Sequence, residues 1–273
     1  MKILELGPRN TIFKKANVSA LREFTDREEP TKAFINALQL KNSDQYKVLT
    51  FYGVGGIGKS RLVRELYRKT DNLQPGTVKV ILDFKEEKYR NAGEALIFLR
   101  KQIKNNHKVK FNTFDLAYAI YWRKLNPQVS MKSNSSELPF IEEGSFIADL
   151  VDQLDYVPFA QWVPKTLKLI NGLTKYKDLF QWWYGRGKET IEQLEDLQPS
   201  EIEELLPAYF AVDLKEYLVL TGEKLVIFLD TYEAIWEKNR LQGSFSEKDA
   251  WVQELVLQLP ECLWVIAGRE KIH

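Results

Sequence analysis

The stretch VLTFYGVGGIGKSRLVRELY, Val48 to Tyr67, decides how the rest of the chain is read. Val48 to Tyr52 is a short apolar run suited to a strand, and Gly53 to Gly58 is a glycine-rich turn. Lys59 and Ser60 then open a segment in which Leu62, Val63, Leu66 and Tyr67 recur at helical spacing, giving a helix with one buried face.

The residue types of that turn suit the capture of phosphate. Gly53, Gly55, Gly56 and Gly58 carry no side chain, so successive backbone N–H groups can close around an anion without a Cβ in the way; Val54 and Ile57 complete the loop. A helix starting at Lys59 adds unpaired amides and the positive end of its dipole. The spacing GVGGIGKS is that of a Walker A phosphate loop in its strand–loop–helix context. In that reading Lys59 reaches the β- and γ-phosphates, the Ser60 hydroxyl is a ligand of Mg²⁺, and Arg61 belongs to the nucleotide-binding set.

Composition narrows the partners. The 39 basic and 38 acidic residues among 273 nearly cancel, so no global field favours nucleic acid or an acidic membrane. One cysteine, Cys262, cannot make an internal disulfide and suits a reducing compartment. The opening MKILELGPRNTIFKK lacks the apolar core of a signal peptide, and no run approaches the 18 or so apolar residues of a membrane span, so a cytoplasmic protein is expected. With His107 and His273 the only histidines, neither a zinc cluster nor a Cys–His pair is expected.

Outward from the loop, Pro30 suits the first turn of a helix carrying Phe34 and Leu38. TVKVILDF, Thr77 to Phe84, alternates as a strand, and Asn91 to Ile103 places Leu96, Leu99 and Ile103 on one helical face. The basic run RKQIKNNHKVK admits two readings, a nucleic-acid contact or a hydrated helix end, and the second is favoured because no aromatic residues are interleaved with its lysines. FNTFDLAYAIYW, Phe111 to Trp122, predicts an aromatic helix; QVSMKSNSSELP predicts a flexible link; Pro158 and Pro164 break the helical patterns that follow. Gly185 and Gly187 flank Arg186 in an expected turn, and Trp162, Trp182 and Trp183 are expected in the core or at an interface. Ser200 and Glu203 have capping-box spacing, Pro207 marks a kink or a new start, and Ser246 is a candidate cap for a helix reaching Leu259.

LVIFLD, Leu225 to Asp230, and CLWVIA, Cys262 to Ala267, read as strands buried on both faces. Alternating strands and helices imply an α/β fold with a parallel sheet, in which ligands bind at the carboxyl ends of the strands. The loop, Asp230 and Arg269 each follow a predicted strand, so they are expected to converge on one sheet edge. Asp230 is the candidate Mg²⁺ carboxylate, Glu233 the candidate general base toward water, and Arg269 the candidate contact for the γ-phosphate.

FTDRE at Phe24 to Glu28 resembles the FxGRE element of the signal-transduction ATPases with numerous domains, the STAND class with NACHT- and NB-ARC-like nucleotide-binding domains. GVGGIGKS, FLDTYEAIW and VIAGRE resemble that class's Walker A, Walker B and sensor-1 segments, in the same order. The match covers roughly residues 21–84 and 223–270; Asp26 stands where the class usually has glycine, and Thr231 replaces a common second acid. The resemblance implies a P-loop NTPase three-layer sandwich of the ASCE type with a mostly parallel sheet. Its expected parts are an N-terminal extension at 1–20, a first ATPase segment at 21–110, a helical aromatic-rich insertion at 111–220 and a second ATPase segment at 221–273. It also implies Phe24 and Arg27 near the adenine, ATP/ADP and Mg²⁺ as ligands, and a switch that hydrolyses ATP slowly and oligomerises when a C-terminal sensor meets its trigger. Relatives act in innate immunity, cell death and antiviral defence. A fifth core strand, a lid, a winged helix and sensor repeats are expected after Arg269, so an N-terminal fragment, or a short form that relies on a partner, is expected. The alternatives are a nucleic-acid-stimulated motor or loader, which needs a basic groove, and a scaffold that binds nucleotide without turnover. A GTPase is disfavoured because no NKxD-like motif follows LVIFLD.

Overall fold

The computed structural model describes residues 28–39, 47–134, 137–141, 146–154, 157–172, 179–236 and 248–269. Within them the chain is an α/β structure, mostly helical, built on four parallel strands. These are β1 (Lys47–Tyr52), β2 (Val78–Asp83), β3 (Leu225–Asp230) and β4 (Leu263–Gly268), in the spatial order β1-β4-β3-β2. The central pair, β3 and β4, is buried along its whole length, whereas β2 at one side alternates buried and half-buried residues. Continuous apolar runs belong inside a sheet covered on both faces, and an alternating run suits its margin.

Helices cover both faces. On one side α1 (Glu28–Gln39) and α2 (Lys59–Leu73) enclose Phe34, Leu38, Val63 and Leu66 against Phe51, Val226, Phe228 and Val265. On the other, α3 (Ala92–Asn106), α4 (Asn112–Leu125), α9 (Pro199–Thr221) and α10 (Ala250–Gln258) share one continuous core with Val80, Leu82, Ile227, Leu229, Trp264 and Ile266. Alternate residues of β3 therefore serve opposite cores, each buried large side chain contributing about 1.5–3 kcal/mol. Four further helical segments, α5 (Phe146–Leu154), α6 (Trp162–Gly172), α7 (Leu179–Trp182) and α8 (Lys188–Glu195), continue the second core.

Several local expectations need correction. α9 is capped by Gln198 and Glu201, which bond reciprocally, so the capping box lies two residues before the Ser200 and Glu203 pair; Pro199 takes the first helical position. Pro207 lies within α9 and begins no new helix. Gly185 to Gly187 form no turn: Trp183–Gly187 is a single π-helical turn between α7 and α8. A Cβ at Gly187 would come within 2.8 Å of Trp183 and 2.9 Å of Trp182, so the tryptophans select glycine by contact rather than by turn geometry. Pro164 sits in the first turn of α6, where its missing N–H has no helical partner to lose, and breaks nothing. The expected flexible link packs instead, with Met131 and Leu138 buried. Asp249 precedes α10 without capping it and accepts the Tyr232 hydroxyl at 2.9 Å; Ser246 lies outside the described residues.

The basic run leaves Lys101 exposed on α3 and Lys108 and Lys110 exposed beyond its end. Arg100 at its head is buried and makes a two-pronged ion pair with Asp115, Nε to Oδ1 at 2.8 Å and Nη2 to Oδ2 at 2.7 Å. Trp162 and Trp183 are core residues, and Trp182 is half-buried with its Nε1 donating to Thr113 Oγ1 at 3.0 Å. No helix among the described residues is long and apolar enough to cross a membrane.

Candidate functional site

β1 ends at Tyr52, and the chain turns through the glycine-rich loop into α2 with Gly58 as its N-cap, at φ 92°. The path depends on glycine where φ is positive, at Gly53, Gly56 and Gly58. Gly53 has φ +149°, and a Cβ there would lie 2.8 Å from Ile57 Cδ1. Gly55 takes the Arg269 guanidinium beside it, its Cβ position 3.7 Å from Cζ. Val54 and Ile57 are exposed at the loop's rim. Lys59 reaches back across the loop, Nζ donating to Gly53 O at 2.7 Å and Val54 O at 3.0 Å.

The register explains why three distant segments meet. Tyr52 lies level with Gly268, and Leu229 with Ile266, so the loop, Arg269 and Asp230 leave adjacent strands at the same edge. Asp230 is 2% exposed. Its Oδ1 accepts the Thr231 N–H at 2.9 Å, while Oδ2 is buried with no hydrogen-bond partner. The Ser60 hydroxyl stands near enough to draw the acid's pKa down, though not in hydrogen-bond geometry with Oδ2. Burial and the neighbouring Asp83 charge outweigh it and hold the carboxyl above its ordinary range, against the pull of Ser60, the Thr231 N–H and the Arg64 guanidinium. Thr231 sits at φ 55°, a left-handed conformation that strains a β-branched residue, directly after this carboxylate.

Glu233 does not face the loop with a free carboxylate. Its Oε2 accepts the Arg269 N–H at 3.0 Å, and its Oε1 pairs with Arg269 Nε at 3.1 Å. The Arg269 side chain, 60% exposed, thus bridges Glu233 and the loop at Gly55.

Arg61 lines a cleft of about 480 Å³ beside Gly58, between α1 and α2, with Thr31, Lys32, Leu62 and Lys69 among its walls. Phe24 and Arg27, expected near the adenine, lie outside the described residues, as does the rest of FTDRE before Glu28. A larger cleft of about 630 Å³ runs between Lys124, Phe159 and Leu197 and contains none of the expected site residues.

The structure therefore gathers Gly53 to Ser60, Asp230, Glu233 and Arg269 at one edge. It adds Asp83, which pairs with Asp230 in register at the end of β2. The signal was present in the sequence, since VILD ends in an acid as LVIFLD does, but only the pairing shows that the two acids are neighbours. A magnesium phosphate fits this donor set. The loop takes positive φ angles at Gly53, Gly56 and Gly58 that only glycine adopts freely, and Asp230, which feels the Ser60 hydroxyl, keeps one buried oxygen without a partner. Among the described residues there is no cluster of three or more His, Cys, Asp or Glu ligands. Mg²⁺ commonly takes one or two carboxylates and fills its remaining positions with phosphate and water, and Ser60 and Asp230 are the side-chain donors at hand for it.

Comparison with protein-family models, with curated proteins and with solved structures finds no match for this chain.

Proposed function

We propose that the chain binds ATP or ADP with Mg²⁺ at this edge and acts as the nucleotide-operated switch of a STAND-type signalling or defence protein, on a P-loop NTPase fold, with slow hydrolysis. The observation that carries the reading is the meeting of Ser60 with the buried, half-satisfied Asp230 at the foot of a glycine cradle. A buried carboxylate oxygen without a donor costs stability, and such a cost is retained where a ligand relieves it. Bound there, Mg²⁺ would neutralise charge on the β- and γ-phosphates.

The chain's own residues have separable parts in this reading. Lys59, now spanning Gly53 O and Val54 O, exchanges those carbonyls for phosphate oxygens, and the loop amides and α2 amides bind the rest. Arg269, already over Gly55, meets a terminal phosphate and lets go of Glu233 as it does so. Glu233 is then free to orient or deprotonate water. Clamping the base until a third phosphate arrives accords with slow turnover and with a switch that tells ATP from ADP. The burial of Arg100 lends no support to a basic groove for a nucleic-acid motor.

Calorimetry with ADP and with a slowly hydrolysed ATP analogue, plus Mg²⁺, tests the reading. Lys59→Ala is expected to abolish uptake. Glu233→Gln is expected to keep the affinity and to slow hydrolysis by about 10²-fold or more. Undiminished turnover in the glutamine variant removes Glu233 from the chemistry, and no uptake by the unaltered chain removes the nucleotide.

A further inference from the structure

β2 and β3 run in register as far as Asp83 opposite Asp230. Val78, Val80 and Leu82 on β2, like Leu225, Ile227 and Leu229 on β3, face the core under α3 and α9. Ile81, Val226 and Phe228 face the opposite core, under α1 and α2. Alternation then sends Asp83 and Asp230 to the same side, the side on which α2 carries Ser60, with their backbones about 4.8 Å apart.

Like charges so placed repel, and Asp83 is the charged neighbour that acts against ionised Asp230. Arg64, one helical turn beyond Ser60 and exposed, is a cation that acts on Asp230 in the opposite sense. Asp83 keeps its own carboxylate steady through Oδ1, which accepts the Lys85 N–H at 3.0 Å. Asp230 meanwhile presents a buried oxygen with no donor. Two adjacent acids, one of them buried and half-satisfied, ask for positive charge and for donors in the same place.

We propose that Asp83 is a positioning residue for the divalent cation at the Ser60–Asp230 corner, accepting hydrogen bonds from water on the cation rather than touching nucleotide. The inference rests on the nucleotide reading above. It adds a residue at the end of β2 that sets cation affinity. Carboxylates that hold a metal's outer partners commonly change its affinity by about 10- to 100-fold when removed.

The test is ADP binding to the whole chain by calorimetry, in EDTA and across a series of Mg²⁺ concentrations, with Asp83→Asn and Asp83→Ser beside the unaltered protein. Both substitutions leave an acceptor for the Lys85 N–H, and thermal melts confirm that each variant is folded. The expected result is unchanged ADP affinity in EDTA and an Mg²⁺ midpoint raised by about 10- to 100-fold. Equal midpoints in variant and unaltered protein, with ADP still bound, overturn this inference alone. So does a loss of ADP affinity of the same size with and without Mg²⁺, which marks a purely structural role. Absence of ADP uptake by the unaltered chain overturns the nucleotide reading and this inference with it.

Discussion

Thr231 carries the local strain of the site. Its left-handed φ of 55° costs a β-branched residue about 1–2 kcal/mol, and its N–H donates to Asp230 Oδ1. The two facts belong together: the turn that strains Thr231 aims its amide back at the acid one residue earlier, fixing the carboxylate with Oδ2 left over. Asn tolerates this conformation better than Thr. Thr231→Asn is therefore expected to raise unfolding stability by about 1 kcal/mol in urea titrations while preserving the Asp230 contact. A loss of stability would show that the threonine side chain, not the backbone, matters here. Nothing in the local pattern FLDTYEAIW announces the strain, because threonine is an ordinary strand residue and the turn is imposed from outside.

Between elements, the most consequential contact is one that joins α9 to the start of α4. Asp213 Oδ2 accepts the N–H groups of Thr113 at 2.8 Å and Phe114 at 2.9 Å, so a carboxylate a hundred residues away satisfies amides that α4 itself leaves unpaired. Burial pushes the Asp213 pKa from 3.8 up to about 7, despite these hydrogen bonds, with nearby Asp115 adding to the rise. The folded chain thus holds a proton there that the unfolded chain gives up near pH 4. The resulting contribution to stability is whole below about pH 4 and is lost as pH rises through about 7. At about 1.4 kcal/mol per unit it amounts to a few kcal/mol at most. Asp213→Asn keeps an acceptor and removes the titration. Its stability relative to the unaltered protein is expected to improve from pH 4 to pH 8, as read from urea unfolding at several pH values. A constant difference between the two would mean that Asp213 does not titrate in this range.

Across the whole molecule, the loop and the acids belong to a sheet whose two cores meet through β3 and β4, so a ligand at the strand ends is linked to global unfolding. A ligand at a hundred times its Kd stabilises by about 2.7 kcal/mol. ADP with Mg²⁺ is expected to raise the melting temperature by several degrees, and Lys59→Ala to erase the rise. A shift that survives in Lys59→Ala would place the nucleotide elsewhere, with the cleft near Lys124 the first site to examine.

Much of this arrangement can be read directly from the residues. Apolar runs locate the four strands to within a residue or so, and VLTFYGVGGIGKS dictates strand, loop and helix because a continuous apolar run suits a buried strand while glycines supply the positive φ angles that a tight loop needs and other residues resist. The same reading places Asp230 and Arg269 at strand ends. Tertiary structure decided the rest: β4 lies between β1 and β3, which sets Arg269 beside Gly55 and turns it onto Glu233, and β2 pairs with β3 so that Asp83 meets Asp230. It also buried Arg100 against Asp115, and it made Gly187 a contact for tryptophan rather than a turn. The physical reason is range. Backbone preference acts over a few residues, whereas strand order and buried ion pairs are chosen by packing between segments far apart in the chain.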